Sequence, residues 1–150
     1  MQYYSYEEFK LDVNLLAKEV KASFAPDAIV AIARGGMTLG HFLAEALEMR
    51  DLYAINSIHY EETRKLDTID VFNIPDLSQA MQVLVVDDII DSGETMIEIK
   101  RVLQEKYPHI TMKVAAVFYK EKALLRPDFA AREATQWIEF FWDFQIDKER

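Results

Sequence analysis

The sequence contains no cysteine among its 150 residues. A chain without thiols has no disulfide framework and no thiolate metal site. It also lacks an apolar run of about 20 residues, the length that a transmembrane helix needs. Its first residues have neither the basic region nor the apolar region of a secretory signal peptide. We therefore expect a soluble, cytoplasmic protein with no integral membrane segment.

Basic residues are scarce relative to acidic ones. The chain has 17 lysines and arginines against 26 aspartates and glutamates, which gives a net charge of −9. Such a balance argues against a general binder of nucleic acid or of anionic membranes, although it leaves room for a local basic pocket. Because 51% of the residues are apolar, the composition predicts one globular domain over residues 1–150.

Glycine is scarce as well, and its few positions are informative. Three of the four glycines, Gly35, Gly36 and Gly40, lie in one short stretch, and Gly93 lies in another. Each stretch follows an apolar run typical of a buried parallel strand, and each precedes a helical pattern. This order predicts an α/β fold with a central, mostly parallel sheet flanked by helices. In open α/β sheets, ligands bind at the carboxyl ends of such strands.

The most distinctive stretch begins with the apolar run 83–86, which predicts a buried strand that ends at Asp87 and Asp88. The segment Asp91-Ser92-Gly93-Glu94-Thr95 follows and leads into a helix. Gly93 permits backbone conformations closed to other residues, and Thr95 is expected to cap the helix. Unpaired N–H groups at a helix start attract phosphate. The loop therefore predicts a phosphate site.

Two acids beside a phosphate loop would repel a ligand that is phosphate alone. They fit a ligand that also carries sugar hydroxyls or a divalent cation such as magnesium. The alternative is a solvated acidic cluster at the end of the sheet. Taken with the whole stretch 83–96, Asp87 and Asp88 favour a phosphorylated sugar.

A second anion site is indicated after the strand predicted over Ala28–Ala33. Arg34, Gly35 and Gly36 place backbone N–H groups next to a fixed cation. The alternative is that the paired glycines serve only the tight turn. A ligand with phosphates at both ends would require two such loops.

Residues 58–73 are polar and charged, and they predict an exposed lid, either a loop or a mobile hairpin. Arg64 and Lys65 in this lid could reach a leaving pyrophosphate. A solvated hairpin tip is the equally good alternative.

The C-terminal part of the chain supplies groups suited to a flat heterocycle. A strand over Met112–Tyr119 ends at Lys120, which could donate to a ring carbonyl or simply be a surface charge. A further strand is predicted over 137–143, with its aromatic side chains covering the core. Trp137 could stack on a base, and Asp143 could reach a bound metal ion.

The stretch Val-Leu-Val-Val-Asp-Asp-Ile-Ile-Asp-Ser-Gly-Glu-Thr resembles the phosphoribosyl diphosphate motif of the type I phosphoribosyltransferases. An Ala-Arg-Gly-Gly-Met loop, a Phe-Tyr-Lys strand end and a Trp-Ile-Glu-Phe-Phe-Trp-Asp segment extend the resemblance over the whole chain. These landmarks are most similar to the bacterial xanthine-guanine branch of the family. The resemblance implies a type I phosphoribosyltransferase fold with a lid at about 58–73 and a small C-terminal hood, at about 120–150, that binds the base.

The resemblance also implies the reaction. It is purine salvage: a 6-oxopurine (guanine, xanthine or hypoxanthine) and 5-phosphoribosyl 1-diphosphate give the nucleoside 5′-monophosphate and pyrophosphate, with Mg²⁺ as cofactor. By resemblance, the pyrophosphate loop contains a non-proline cis peptide, which here would be Ala33–Arg34. The implied partners are these small molecules and further copies of the chain, as a homodimer or homotetramer.

Roles carried over from the family fall into five groups. Asp91, Asp88 and Asp87 are catalytic, with Asp91 close to N7 of the purine and active in proton transfer. The other groups bind the phosphoribosyl moiety (Asp87, Asp88, Asp91, Ser92, Gly93, Glu94 and Thr95), the pyrophosphate (Arg34, Gly35 and Arg64), the base (Lys120, Trp137 and Ile138) and the metal (Asp88, Asp87 and Asp143).

Two other functions fit parts of the sequence. One is a non-catalytic regulator on the same fold, which would bind phosphoribosyl diphosphate or nucleotide without turnover. The other is a receiver-like signalling domain, which also has paired acids and a lysine at a strand end. The base-binding groups Lys120 and Trp137 argue against the regulator, and a receiver domain has no reason for the loop that begins at Arg34 or for a tryptophan near the C-terminus.

Overall fold

A computed structural model describes residues 1–60 and 68–147. Within these residues the chain forms three helices and eight strands, arranged as a six-stranded sheet and a separate two-stranded sheet. In chain order the elements are β1 (Gln2–Tyr4), α1 (Tyr6–Ser23), β2 (Ala28–Ala33), α2 (Met37–Ala46), β3 (Leu52–Tyr60), β4 (Thr68–Phe72), β5 (Gln82–Ile90), α3 (Glu94–Lys106), β6 (Thr111–Tyr119), β7 (Phe129–Glu133) and β8 (Ile138–Phe140).

The large sheet has the strand order β4-β3-β2-β5-β6-β7. Four of its pairings are parallel, and the fifth, between β3 and β4, is antiparallel. The expectation of a central, mostly parallel sheet flanked by helices is confirmed. Because β2, β5 and β6 run in the same direction, their carboxyl ends meet at one edge of the sheet. The two glycine-containing loops and Lys120 therefore share that edge.

Helices cover both faces of the sheet, so its central strands are apolar on both sides. On β5, Leu84 and Val86 pack into the core under α1 and α2, whereas Val83 and Val85 pack into the core under α3. All four side chains are fully buried. Among the described residues, no helix combines the length and apolarity needed to cross a bilayer.

The predicted end of β5 at Asp87 and Asp88 was wrong, because the strand continues to Ile90. Pairing with β2 stops at Val86, but β6 continues alongside, with Asp87 opposite Ala116 and Ile90 opposite Tyr119. The two acids thus lie on a strand with one free edge, which faces the loop after β2.

The predicted C-terminal strand over 137–143 was too long, since only Ile138–Phe140 is extended. That strand, β8, pairs in parallel with β1 at the N-terminus of the chain. Neither β1 nor β7 was predicted. β1 is only three residues long, and the sequence of β7, Phe-Ala-Ala-Arg-Glu, has no β-branched residue to indicate a strand.

The expected lid coincides with the outer part of the β3–β4 hairpin, where Asn56 to Tyr60 pair with Thr68 to Phe72. Two of the residues considered for pyrophosphate binding, Arg64 and Lys65, fall within 61–67 and lie outside the described residues.

Candidate active site

The loop after β2 carries the first predicted anion site. The peptide bond between Ala33 and Arg34 is cis, and Gly36 is the N-cap residue of α2. A Cβ atom on Gly36 would overlap the Val86 carbonyl oxygen of β5 and would lie 2.9 Å from the Ile32 carbonyl oxygen. This glycine therefore lets the loop pack directly on the backbone of β2 and β5.

Gly35 brings the same loop against the acidic pair. A Cβ atom at Gly35 would lie 2.7 Å from the carboxyl carbon of Asp88, well inside van der Waals contact. The Asp88 carboxylate thus occupies the space beside the Gly35 backbone. The predicted pyrophosphate loop and the predicted ribose and metal residues are in direct contact.

The carboxylates of Asp87 and Asp88 are held by backbone N–H groups. Asp87 Oδ1 accepts from the Asp88 amide at 2.8 Å, and Asp88 Oδ1 accepts from the Ile89 amide at 2.7 Å. Burial, reinforced by the neighbouring Asp88 charge, raises the pKa of Asp87 well above its usual range. Burial also raises the pKa of Asp88, to which the charge of Asp143 contributes. Among the described residues, no lysine or arginine forms an ion pair with either carboxylate.

Such a pair of carboxylates fits a divalent cation with oxygen ligands. Within residues 1–60 and 68–147, however, no group of three or more acidic or histidine side chains is arranged to hold a metal ion by itself. Asp88 is the side chain best placed to contribute to such a site, with Asp87 behind it and Asp143 nearby. The remaining ligands would have to be water or substrate oxygens.

The second predicted anion site lies between β5 and α3. Gly93 has a φ angle of 90° and is the N-cap residue of α3, so the prediction that Thr95 caps this helix was wrong. The left-handed conformation explains the glycine. The Ser92 hydroxyl accepts a hydrogen bond from the Glu94 amide at 3.2 Å. Glu94 is exposed in the first helical turn, and Thr95 lines the cavity formed by this loop.

The loop that follows β6 packs on this phosphate loop. The Leu124 amide donates to the Ser92 carbonyl oxygen at 2.8 Å, and a Cβ atom at Gly93 would lie 2.9 Å from the Leu125 nitrogen. The segment that begins at Lys120 is therefore fixed to the predicted 5′-phosphate site.

Lys120 and Asp91 form an ion pair, with Lys120 Nζ 2.7 Å from Asp91 Oδ1. Asp91 and Lys120 were predicted to have separate roles, and the structure shows that their side chains are in contact. Lys120 thus has an acceptor when no base is bound. A purine that accepts from the lysine and gives a proton to the carboxylate would contact both partners of the pair.

The C-terminal hood supplies the other side of this region. Trp137 is 75% exposed, which leaves an indole face free for stacking, whereas Ile138 is buried in β8. The Asp143 carboxylate accepts from the Phe140 amide at 3.0 Å, which fixes its position at the end of the hood.

Three cavities meet at Asp88, which lines all of them. Their volumes are about 330 Å³ at the phosphate loop, 610 Å³ between Lys120 and Trp137, and 900 Å³ beside Arg34. Among the predicted site residues that the structure describes, all except Glu94 line at least one cavity: Arg34, Gly35, Asp87, Asp88, Asp91, Ser92, Gly93, Thr95, Lys120, Trp137, Ile138 and Asp143.

Sequence reasoning missed several lining residues. Ser57 on β3 reaches the phosphate cavity, and Glu133 to Gln136 line the cavity between Lys120 and Trp137. The segment from Glu133 to Gln136 could have been predicted to line the base cavity, because it immediately precedes Trp137 in the sequence. Ser57 matches the serine that opens the lid in the resembled family, but its separation from Tyr60 left it without an assigned role in binding.

Comparison with known proteins agrees with this geometry. A family model described as the phosphoribosyl transferase domain matches residues 1–149. A xanthine-guanine-hypoxanthine phosphoribosyltransferase structure from Helicobacter pylori has 39% identity and a TM-score of 0.88, covering 94% of this chain and 92% of that one. A xanthine-guanine phosphoribosyltransferase from Idiomarina loihiensis is 28% identical over 145 residues, which are 95% of this chain and 86% of the relative. A purine phosphoribosyltransferase structure from Pyrococcus horikoshii shares the fold, with 24% identity, a TM-score of 0.85 and coverage of 99% and 98%.

Proposed function

Because the chain belongs to the phosphoribosyltransferase family, we propose that it transfers the phosphoribosyl group of 5-phosphoribosyl 1-diphosphate to N9 of a 6-oxopurine. Pyrophosphate leaves and a nucleoside 5′-monophosphate is formed. The proposal rests mainly on one observation: three cavities share Asp88. One lies at the predicted phosphate loop, one lies beside the predicted pyrophosphate loop, and one is lined by Lys120, Asp91 and Trp137.

The two loops suit the two ends of the sugar substrate. Backbone N–H groups at the start of α3 would hold the 5′-phosphate, and Arg34 with the adjoining backbone would hold pyrophosphate. Asp87 and Asp88 would hold the ribose hydroxyls between them. A Mg²⁺ ion held by Asp88 and substrate oxygens, with Asp143 nearby, would neutralise charge on the leaving group.

The Lys120–Asp91 pair suits the base. The lysine ammonium can only donate hydrogen bonds. Lys120 would therefore donate to a 6-oxo oxygen of the base and would disfavour a base with a 6-amino group. The purine must lose a proton as N9 attacks the anomeric carbon, and the Asp91 carboxylate would accept this proton from N7 of the base. Trp137 would cover one face of the ring, which positions N9 and excludes water.

A turnover assay tests the proposal directly. The protein is incubated with phosphoribosyl diphosphate, Mg²⁺ and either guanine, xanthine, hypoxanthine or adenine, and pyrophosphate release is measured. We expect turnover with 6-oxopurines and a kcat/KM for adenine at least about 10²-fold lower, because the Lys120 ammonium can only donate and would face the donating 6-amino group of adenine. Omission of Mg²⁺ should abolish turnover. Binding of phosphoribosyl diphosphate without turnover of any base would instead support a regulator.

The charges around the base cavity predict a preference among the 6-oxopurines. Xanthine loses a proton close to neutral pH, whereas guanine and hypoxanthine stay neutral. Glu133 lines this cavity and has no ion pair in the described part of the chain. The cavity is lined by five acidic residues, including Glu133, against the two lysines Lys120 and Lys122, so its charge should repel the xanthine anion. We expect kcat/KM for xanthine, relative to guanine, to fall as pH rises through neutrality.

The variant Glu133→Gln tests this preference. It should raise the xanthine-to-guanine ratio of kcat/KM by about threefold to tenfold above neutral pH, the range for a partly solvated charge. Glu105→Gln on α3, remote from the cavity, is the matched control and should leave the ratio unchanged. An unchanged ratio in Glu133→Gln would assign the preference to other groups.

A further inference from the structure

Asp12 on α1 is the least exposed charged residue in the described part of the chain, with 8% of its surface exposed. A buried carboxylate requires partners, because its desolvation is costly. It accepts a short hydrogen bond from the Tyr4 hydroxyl and a second from Arg132 Nε at 2.7 Å. Arg132 Nη1 also donates to Glu8 at 3.1 Å. The proposed reaction uses none of these groups.

Tyr4 is fully buried at the centre of this group. Burial, together with the hydrogen bond to Asp12, raises the pKa of Tyr4 far above its usual value, so its hydroxyl remains a donor. The Arg132 guanidinium lies over the same ring, 5.5 Å from its centroid. Tyr4, Asp12 and Arg132 thus join β1, α1 and β7 in one polar unit, which we call the Tyr4 cluster.

The Tyr4 cluster lies directly behind the hood. Among the described strands, β8 pairs only with β1. Ile138 lies opposite Gln2, and Phe140 lies opposite Tyr4. The Gln2 amide donates to the Trp137 carbonyl oxygen at 2.8 Å, and the Phe141 amide donates to the Tyr4 carbonyl oxygen at 3.0 Å. Tyr4 anchors β1 to α1 through Asp12, and β8 pairs with β1. The position of Trp137 and Ile138 therefore depends on the position of Tyr4.

The same cluster reaches the other walls of the base cavity. The Tyr4 ring packs edge-on against Phe118, at 5.1 Å between centroids, two residues before Lys120. Arg132 immediately precedes Glu133, which lines the cavity. The Ala134 amide, one residue further, donates to the Tyr119 carbonyl oxygen at 2.8 Å. Three walls of the cavity are thus connected to the Tyr4 cluster, through the ring contact with Phe118, through the β1–β8 pairing and through the chain that follows Arg132.

We propose that Tyr4, Asp12 and Arg132 are positioning residues that set the spacing between Lys120 and Trp137, and so determine how tightly the base binds. This inference rests on the proposed transferase function. The predicted phosphate and pyrophosphate loops follow β5 and β2, and among the described residues the hydrogen bond of the Tyr4 hydroxyl goes to Asp12 and not to either strand. Loss of the cluster should therefore affect the base and spare phosphoribosyl diphosphate.

The principal test is Tyr4→Phe, which removes one hydroxyl and keeps the ring. We expect KM for guanine to rise about fivefold to twentyfold, while kcat and KM for phosphoribosyl diphosphate change less than about twofold. Arg132→Met should have the same signature, and Arg132→Lys should restore part of the affinity. A merely structural role would reduce the amount of active protein without changing KM.

Tyr107→Phe is the matched control. Tyr107 is also buried, with 9% of its surface exposed, and its hydroxyl donates to the Pro75 carbonyl oxygen at 3.1 Å in the other half of the core. This variant should lose stability without a change in KM for guanine. Equal KM values for wild type and Tyr4→Phe, or equal rises for both substrates, would overturn the inference.

Amide hydrogen exchange gives a readout that does not depend on turnover. In Tyr4→Phe the amides of residues 138–141 should exchange faster, while those of β2 and β5 keep their protection. If the wild-type protein turned over no purine, the transferase proposal would fail, and the exchange result would still decide whether the cluster holds the hood. Unchanged exchange at 138–141 would count against the cluster.

Discussion

Replacement of Asp91 by asparagine is expected to lower kcat by about 10²–10⁴-fold, the usual contribution of a positioned acid–base group. Asparagine keeps the shape and can still accept a hydrogen bond from Lys120, but it cannot take up a proton. Because the Asp91 side chain is largely exposed in the unliganded protein, its loss should cost little stability. Phosphoribosyl diphosphate should bind almost as before. Steady-state kinetics and calorimetric titration of that substrate measure the two effects.

The ion pair makes a control necessary, since Asp91→Asn also alters the surroundings of Lys120. Lys120→Met removes the other partner and should raise KM for 6-oxopurines while weakening discrimination against adenine. If proton transfer is the role of Asp91, its variant should lower kcat and Lys120→Met should mainly affect base binding. A kcat near wild type for Asp91→Asn would exclude Asp91 as the proton acceptor.

The parts of the fold that the sequence could predict are those with a local signal. The apolar run 83–86 is buried on both faces of the sheet, and such a run is characteristic of a central parallel strand. The capping box of Ser5 and Glu8 likewise marks the start of α1, where both reciprocal hydrogen bonds are present. In each case neighbouring residues alone determine the conformation.

The parts that escaped prediction depend on contacts between distant residues. The pairing of β1 with β8 joins Gln2 to Ile138, and neither strand is long enough to be recognised alone. The extension of β5 past Asp88 depends on β6 running beside it. The ion pair of Asp91 with Lys120 likewise follows from the packing of two loops. Motif resemblance could place residues at the same site but could not show which of them touch.

Gly35→Ala is the second variant with a large expected effect. The new Cβ atom would lie 2.7 Å from the Asp88 carboxyl carbon, so either the loop after β2 or the Asp88 side chain must move. A shift of about 1 Å at a reacting site can cost about 10²-fold in rate. We therefore expect kcat/KM for phosphoribosyl diphosphate to fall at least about 10²-fold. Overpacking should also lower the free energy of unfolding by about 1–3 kcal/mol.

A double-variant cycle with Asp88→Ala separates the clash from other effects of an alanine in this loop. Asp88→Ala removes the atoms that the new methyl group would meet. Gly35→Ala should therefore cost much less stability in that background, while activity stays low because Asp88 itself is lost. Denaturant unfolding of the four proteins gives the coupling energy. Equal costs in both backgrounds would mean that the loop backbone, and not the approach of Asp88, requires glycine at this position.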